Sequence, residues 1–338
     1  SHRLGLEPDR THPVRLQKPP LDEARQPHAL LLRRAERKAV RPRAVRHGHR
    51  HGHRRGQRPD RHPRRPAAHL DRLDSDKASI SLGTTATIQF STTQYVEPQQ
   101  FLPAYPGVLN DHYNPEIEIY RGLWLLSWFV KEFGTADAID AKEMGMAPEA
   151  LLDQRIRDLP AGSDGLLLQP YWTAGILHPD SLGAVIGFSD YHTRYHFYRA
   201  IIEGLCLELY MALRIMEDRS GLTIHEIRIG GGGAKSDVVC QIAADVFGLP
   251  VVRSQTHEAC SIGSSMVAFV AKGVFADFDE AAKAMVHVKD TFRPNEKNHE
   301  TYNEIYEQAY RKIYPRLRPI YQKLIQVKRR IVQRATNR

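Results

Sequence analysis

The sequence predicts an α/β domain, a sheet flanked by helices, preceded by a disordered basic segment. Three observations carry that reading. Strands alternate with helices at short spacing in IHEIRIGG (224–231), SDVVCQIAADVFG (236–248), LPVVRSQ (249–255) and ACSIGSSMVAFVAKG (259–273). All 3 Trp, 14 Tyr and 11 Phe lie after residue 75. The first 75 residues hold 18 Arg and 2 Lys against eight acids, a net +12, so the other 263 residues carry −3 of the overall +9.

The first segment has no aromatic residue, no Ile, Met, Asn or Cys, and three Val. Such a chain buries too little apolar area to offset the entropy of ordering its backbone, so residues 1–75 are expected to be disordered. Its centre, RHGHRHGHRRG (46–56), admits three readings. Alternating His47, His49, His51 and His53 could chelate Ni²⁺ or Zn²⁺ weakly. The arginines could contact nucleic-acid phosphates nonspecifically, without the interleaved aromatics that stack on bases. The third reading is a shifted reading frame. Residue types with A/T-rich codons number two here, Lys18 and Lys38, as a GC-rich gene read out of frame would give. We adopt that reading, with the true frame resuming near Asp74–Asp76. The chain then divides into residues 1–75, a domain at 76–325 and a basic C-terminal tail at 326–338.

The regular pattern begins with ASISLGTTATIQFS (78–91), which alternates around Gly-Thr-Thr and predicts a β-hairpin. QYVEPQQFLPAYPGVLNDHYNPEIEIY (94–120) reads as surface packing, with the mouth of a cleft as the other option. YRGLWLLSWFVKEFG (120–134) predicts an amphipathic helix closed by Gly134. A shorter helix is expected at 148–159 and a buried strand at 165–172. TRYHFYRAIIEGLCLELYMALRIMEDRSG (193–221) is apolar almost all round, which predicts a central helix stopped by Gly221. The two strand–helix units follow, and then a helix at 299–324, broken at Pro315 and Pro319, whose tyrosine stripe reads as a packing face.

Cys206, Cys240 and Cys260 form no CxxC pair and read as reduced thiols, which fits a cytoplasmic location. No apolar run approaches the roughly 20 residues that cross a bilayer, so no membrane role is expected. The chemistry concentrates in IRIGGGGAKSDVVCQ (227–241). Four glycines end a strand and a helix starts at Ser236–Asp237, so backbone amides and a helix N-terminus could meet a phosphate. The alternative is a flexible turn with Ser236 as helix cap. The spacing is neither a Rossmann fingerprint nor a P-loop, since Lys235 follows Ala234.

GGGAKSDVVCQIAADVFGLPV (231–251) resembles the C-terminal signature of the FGGY family of carbohydrate kinases, at Gly231–Gly233, Ser236, Gln241, Ala244, Asp245, Gly248, Pro250 and Val251. SLGTTA (81–86) is similar to the family's Leu-Gly-Thr hairpin, RAIIEGLCLEL (199–209) to its long Arg-Ala-x-x-Glu-Gly helix, and EACSIGSSMVAFVAKG (258–273) to the helix after its Gly-x-Pro-Val strand. The resemblance implies a ribonuclease-H-like, actin/hexokinase-like ATPase domain. It also implies ATP and Mg²⁺ as cofactors and phosphorylation of a small carbohydrate, whether sugar, ketose or polyol. It places Gly83, Thr84 and Thr85 at the terminal phosphates, Gly231, Gly232 and Gly233 at the nucleotide, and Gly122 and Ser236 at the same pocket. Asp245 and Glu203 read as structural carboxylates. No metal-ligating protein side chain is assigned. Family members self-associate through varied surfaces, so a homo-oligomer is compatible. The family's catalytic aspartate belongs upstream of the hairpin, where this chain reads RGQRPDRHPRR (55–65), and Asp60 lacks the glycine frame of that motif. Asp76 is the nearest acid in the regular part and is kept as the catalytic candidate, although its place reads rather as a strand start. The sequence therefore predicts a kinase nucleotide domain that is inactive alone. The alternative is a nucleotide-binding α/β protein with a basic arm for nonspecific nucleic-acid contact.

Overall fold

The structure, a computed structural model, describes residues 76–176 and 178–336. The expected disorder of residues 1–75, the histidine tract, Asp60 and the frame boundary at Asp74 lie outside these residues.

The hairpin forms as its alternation requires. Strand β1 (Lys77–Leu82) buries Ala78, Ile80 and Leu82, and β2 (Ala86–Phe90) buries Ala86, Ile88 and Phe90. The two sets face each other in antiparallel register, Ile80 opposite Ile88. After a short ribbon of β3 (Tyr105–Pro106) and β4 (Tyr113–Asn114), β5 (Glu116–Ile119) adds to β2 with Ile117 opposite Ile88.

Three short helices follow: α1 (Trp124–Phe133), α2 (Thr135–Glu143) and α3 (Pro148–Ile156). Helix α1 starts four residues later than the sequence predicts. Residues 120–123 are held in a turn instead, where Gly122 N donates to Thr84 O and Leu123 N to Gly83 O, both at 2.8 Å. The predicted strand at 165–172 is reduced to β6 (Leu167–Gln169), paired with β7 (Ala184–Ile186).

The long helix α4 (Arg194–Ser220) is central, as its apolar circumference predicts. Every residue from Tyr198 to Leu209 is buried, between the sheet on one side and β6 and a further helix on the other. Gly221 ends it at φ 71°, a conformation glycine adopts without steric cost. Strand β8 (Glu226–Gly230) then runs parallel to β1, helix α5 (Asp237–Phe247) returns, and β9 (Val251–Ser254) runs parallel to β8. Helices α6 (Ala259–Ala271) and α7 (Phe278–Met285) lead to the edge strand β10 (Val288–Phe292). The sheet order is β10-β9-β8-β1-β2-β5. The alternating strands leave their other side polar, with Lys77, Ser79 and Ser81 exposed.

The C-terminal pattern is not broken at its prolines. Helix α8 (Glu296–Ile305) passes through a π turn at Tyr306–Tyr310 into α9 (Arg311–Thr336), which contains Pro315 and Pro319. Both prolines are on the exposed side, where water can take up the carbonyls that lose their N–H partners. Residues 326–336, read from the sequence as a basic tail, continue α9 as exposed helix. The tyrosine stripe packs inward. Tyr302 OH donates to Glu203 at 2.7 Å, and Tyr310 OH to Glu208 at 3.0 Å. Among the described residues no helix is long and apolar enough to cross a membrane.

Candidate functional site

Parallel pairing of β1 with β8 sets Ser81 opposite Gly230, so the two glycine-bearing turns emerge side by side from the same end of the sheet. The first turn is Gly83–Thr85, closed by Gly83 N donating to Thr85 O at 2.9 Å. The second begins at Gly231, whose φ is 80° and where a Cβ would lie 2.6 Å from Leu82 O. Only glycine passes there. A Cβ on Gly233 would lie 2.5 Å from Leu123 Cδ1, whereas Gly232 faces open space. The turn continues through Lys235 to Ser236, which caps α5 by accepting from Val239 N at 3.1 Å.

Together these elements line a cleft of about 600 Å³. The turns contribute Gly83, Thr84, Gly232, Gly233, Lys235 and Ser236. Helix α1 contributes Trp124, Leu126 and Ser127, and α3 contributes Glu149, Ala150 and Asp153. Tyr198 and Val239 close it from α4 and α5. The volume lies in the range of small-molecule sites, and the α5 N-terminus opens into it with its partial positive charge.

Several contacts hold this shape. Arg253 on β9 donates to Ala234 O at 2.8 Å and to Asp290 at 2.8 Å, and pairs with Asp237 at 2.9 Å. It thereby ties the glycine turn to the sheet edge. Helix α3 is fixed through Arg155, which pairs with the buried Asp137 and with Asp140, while Arg194 at the start of α4 donates to the same Asp137 at 2.8 Å. On α4, Glu203 accepts from Gly162 N, Ser163 Oγ, Arg199 Nε and Tyr302 OH, a fully satisfied structural carboxylate. Asp245 is likewise structural, accepting from Gln241, Asn295 N and Asn298.

Of the residues predicted from the sequence, the structure brings Gly83, Thr84, Gly232, Gly233 and Ser236 to one cleft. Thr85, Gly122 and Gly231 stand behind it. Gly122 is where the α1 turn crosses the hairpin, and a Cβ there would lie 2.5 Å from Ala86 N. Asp76 lies before β1, at the end of the strand opposite Gly83, and is not brought to the cleft. None of residues 94–120 lines it either; Tyr105, Glu116, Glu118 and Tyr120 border a separate small hollow.

Sequence reasoning missed Glu149, Asp153, Trp124, Ser127 and Tyr198, and saw Lys235 only as a departure from a P-loop. Asp153 is the most informative of these. Burial pushes its carboxyl above the usual carboxylate range, against hydrogen bonds from Ser236 and Tyr198. The Tyr198 hydroxyl is 3.5 Å away. A lone aspartate inside a short helix gave no signal, because its partners come from α4 and α5.

Comparison with known proteins bears on the family and the fold. The model of the FGGY family of carbohydrate kinases, C-terminal domain, matches residues 78–272. YgcE, an uncharacterized sugar kinase of Escherichia coli K12, is 30% identical over 232 residues, covering 68% of this chain and 47% of that protein. Among solved structures, a ligand-bound xylulose kinase from Lactobacillus acidophilus superposes with a TM-score of 0.64 at 25% identity, covering 75% of this chain and 49% of the other. A gluconate kinase from the same organism gives 0.63 at 25% identity and the same coverages. The chain thus spans about half the length of these relatives. The likenesses bear out the ribonuclease-H-like, actin/hexokinase-like fold expected from the resemblance. The chain belongs to the FGGY family of carbohydrate kinases, and residues 78–272 match that family's C-terminal domain.

Proposed function

We propose that this chain supplies the nucleotide-binding half of an ATP-dependent kinase that phosphorylates a sugar, ketose or polyol. The observation that carries the reading is the convergence of the two glycine turns, the α5 N-terminus and Lys235 on one cleft of nucleotide size. The Gly83–Thr84 turn offers backbone amides and a hydroxyl to the terminal phosphates. The open face of Gly232 lets a ligand approach the backbone closely. Lys235 and the α5 N-terminus supply positive charge where phosphate charge accumulates. Among the described residues no group of three or more His, Cys, Asp or Glu converges as a metal cage. Mg²⁺, implied by the family resemblance, would be held mainly by phosphate oxygens and water, where it neutralises phosphate charge.

Asp76 lies about 20 Å from the Gly83 turn at the rise of an extended strand. We therefore place the carboxylate that deprotonates the acceptor hydroxyl outside residues 76–336. The names of the two structural relatives, a xylulose kinase and a gluconate kinase, support a polyhydroxylated small molecule as the acceptor. A cytoplasmic location goes with the buried thiols of Cys206 and Cys240. Calorimetric titration of the full chain with ADP tests the nucleotide site. Saturable binding that Gly233→Val abolishes is the expected result. A sample that unfolds cooperatively yet takes up no ADP at millimolar concentration would refute the assignment.

A further inference from the structure

The cleft holds a carboxylate where a nucleotide-phosphate site would not be expected to need one. Asp153 lines it on α3, with Glu149 one turn earlier on the same face. A phosphate chain seated against either acid would meet like charge, so the phosphates belong at the Gly83–Thr84 turn, with Lys235. That leaves the α3 side, with Ala147, Ala150, Val239 and Tyr198, to the nucleoside. These side chains make an apolar slot suited to a flat ring. Asp153 lines the same cleft, 3.5 Å from the hydroxyl of the fully buried Tyr198.

Above its raised pKa the Asp153 carboxyl is ionised and only accepts hydrogen bonds, at about four lone-pair positions. The Tyr198 hydroxyl, 3.5 Å away, reaches one of them. Acceptor capacity therefore remains toward the slot. Adenine carries an exocyclic amino group, a donor, where hypoxanthine and guanine carry a carbonyl, an acceptor. A carboxylate facing a carbonyl in a half-buried slot sets two acceptors against each other with no donor between them, which penalises the carbonyl-bearing bases.

Resting on the nucleotide reading above, we infer that Asp153 is the residue that selects adenine, by accepting a hydrogen bond from the exocyclic amino group of the base. Ser236, which caps α5 through its oxygen, lines the same cleft as Asp153, so the glycine turn and the base-reading group face one space. The substitution Asp153→Asn keeps the shape and offers an amide that can turn its NH₂ toward a carbonyl.

The experiment is calorimetric titration of the full chain and of D153N with ADP, inosine diphosphate and 2′-deoxy-ADP, with cooperative unfolding checked for both proteins. The unsubstituted chain is expected to prefer ADP over inosine diphosphate by about tenfold or more, and D153N to shrink that ratio about tenfold, partly by gaining inosine diphosphate affinity. The ratio of ADP to 2′-deoxy-ADP should stay constant. An unsubstituted chain that binds inosine diphosphate as well as ADP overturns the inference, even if D153N fails to fold. So does a D153N protein that loses both nucleotides in proportion, since that marks a merely structural residue. A change confined to the 2′-deoxy ratio assigns Asp153 to the ribose and also overturns it. Absence of binding by all three nucleotides refutes the nucleotide site itself, and the inference with it.

Discussion

Glu208 offers the sharpest test of the physical reading, because its charge has nowhere to go. It lies on α4, fully buried, and accepts from Tyr171 OH at 2.5 Å and from Tyr310 OH at 3.0 Å. Burial pushes its carboxyl up to about 7, against those two hydrogen bonds, from an ordinary value of 4.5. The folded state therefore holds this proton more tightly than the unfolded chain. The stabilisation this gives is fully present below about pH 4.5 and is lost as pH rises toward about 7. At roughly 1.4 kcal/mol per pH unit, that interval amounts to about 3 kcal/mol. Glu208→Gln removes the titration and keeps the shape. Urea unfolding of both proteins should be measured from pH 4 to pH 8. Every other carboxylate titrates in both, so the difference between the two curves isolates Glu208. The variant should gain about 3 kcal/mol relative to the parent across that window, a shift of about 1 M in midpoint at an m-value near 3 kcal/mol/M. A difference that does not change with pH would show that Glu208 keeps an ordinary pKa, and that the surrounding core is wetter or more polar than the packing implies.

Other outcomes follow from the same structure. Gly122→Ala forces a Cβ against the backbone of Thr85 and Ala86, at 2.5 Å from Ala86 N. It should cost about 1–3 kcal/mol, lower the melting temperature by several degrees and weaken ADP binding through the displaced hairpin turn; calorimetry and thermal melts read both. Arg253→Met leaves Ala234 O without its 2.8 Å donor and frees Asp237 and Asp290, so ADP affinity should fall several-fold while unfolding stays cooperative. A thiol reagent at neutral pH should label one cysteine of the native chain quickly, the exposed Cys260. Cys206 and Cys240 should react only after denaturation, since burial pushes both thiols up, Cys240 to about 12.

Much of the scaffold could be read in advance because its signals are local. Period-two alternation marked β1 and β2, an all-round apolar helix marked α4, and its glycine stop at Gly221 adopts positive φ. The half of the cleft carried by the glycine turns was legible for the same reason. What escaped depends on tertiary partners. Helix α2 restarts directly after the Gly134 stop and buries only Asp137 and Ala141, so it carries no apolar stripe to announce it. Strand β10 is polar and half exposed, and only its ladder to β9 marks it. Asp153, Tyr198 and Ser236 converge from three helices, and no spacing rule connects residues that far apart. The prolines misled because their breaking power depends on which face they occupy, and α9 presents both to water.

The ladder between β1 and β8 joins residues about 150 positions apart, Ser81 to Gly230. During synthesis the hairpin turn emerges long before the glycine turn that completes the cleft. Its apolar face must wait for β8 and α5 to be made, held meanwhile by β2, β5 and then α4. Pairings of such high sequence separation close slowly. Chains halted short of residue 240 would carry Gly83 and Thr84 with no partner turn and a sheet open at β1. This protein should therefore depend on chaperones most strongly in the interval between the two turns, and ligand should bind only after the second has joined the first.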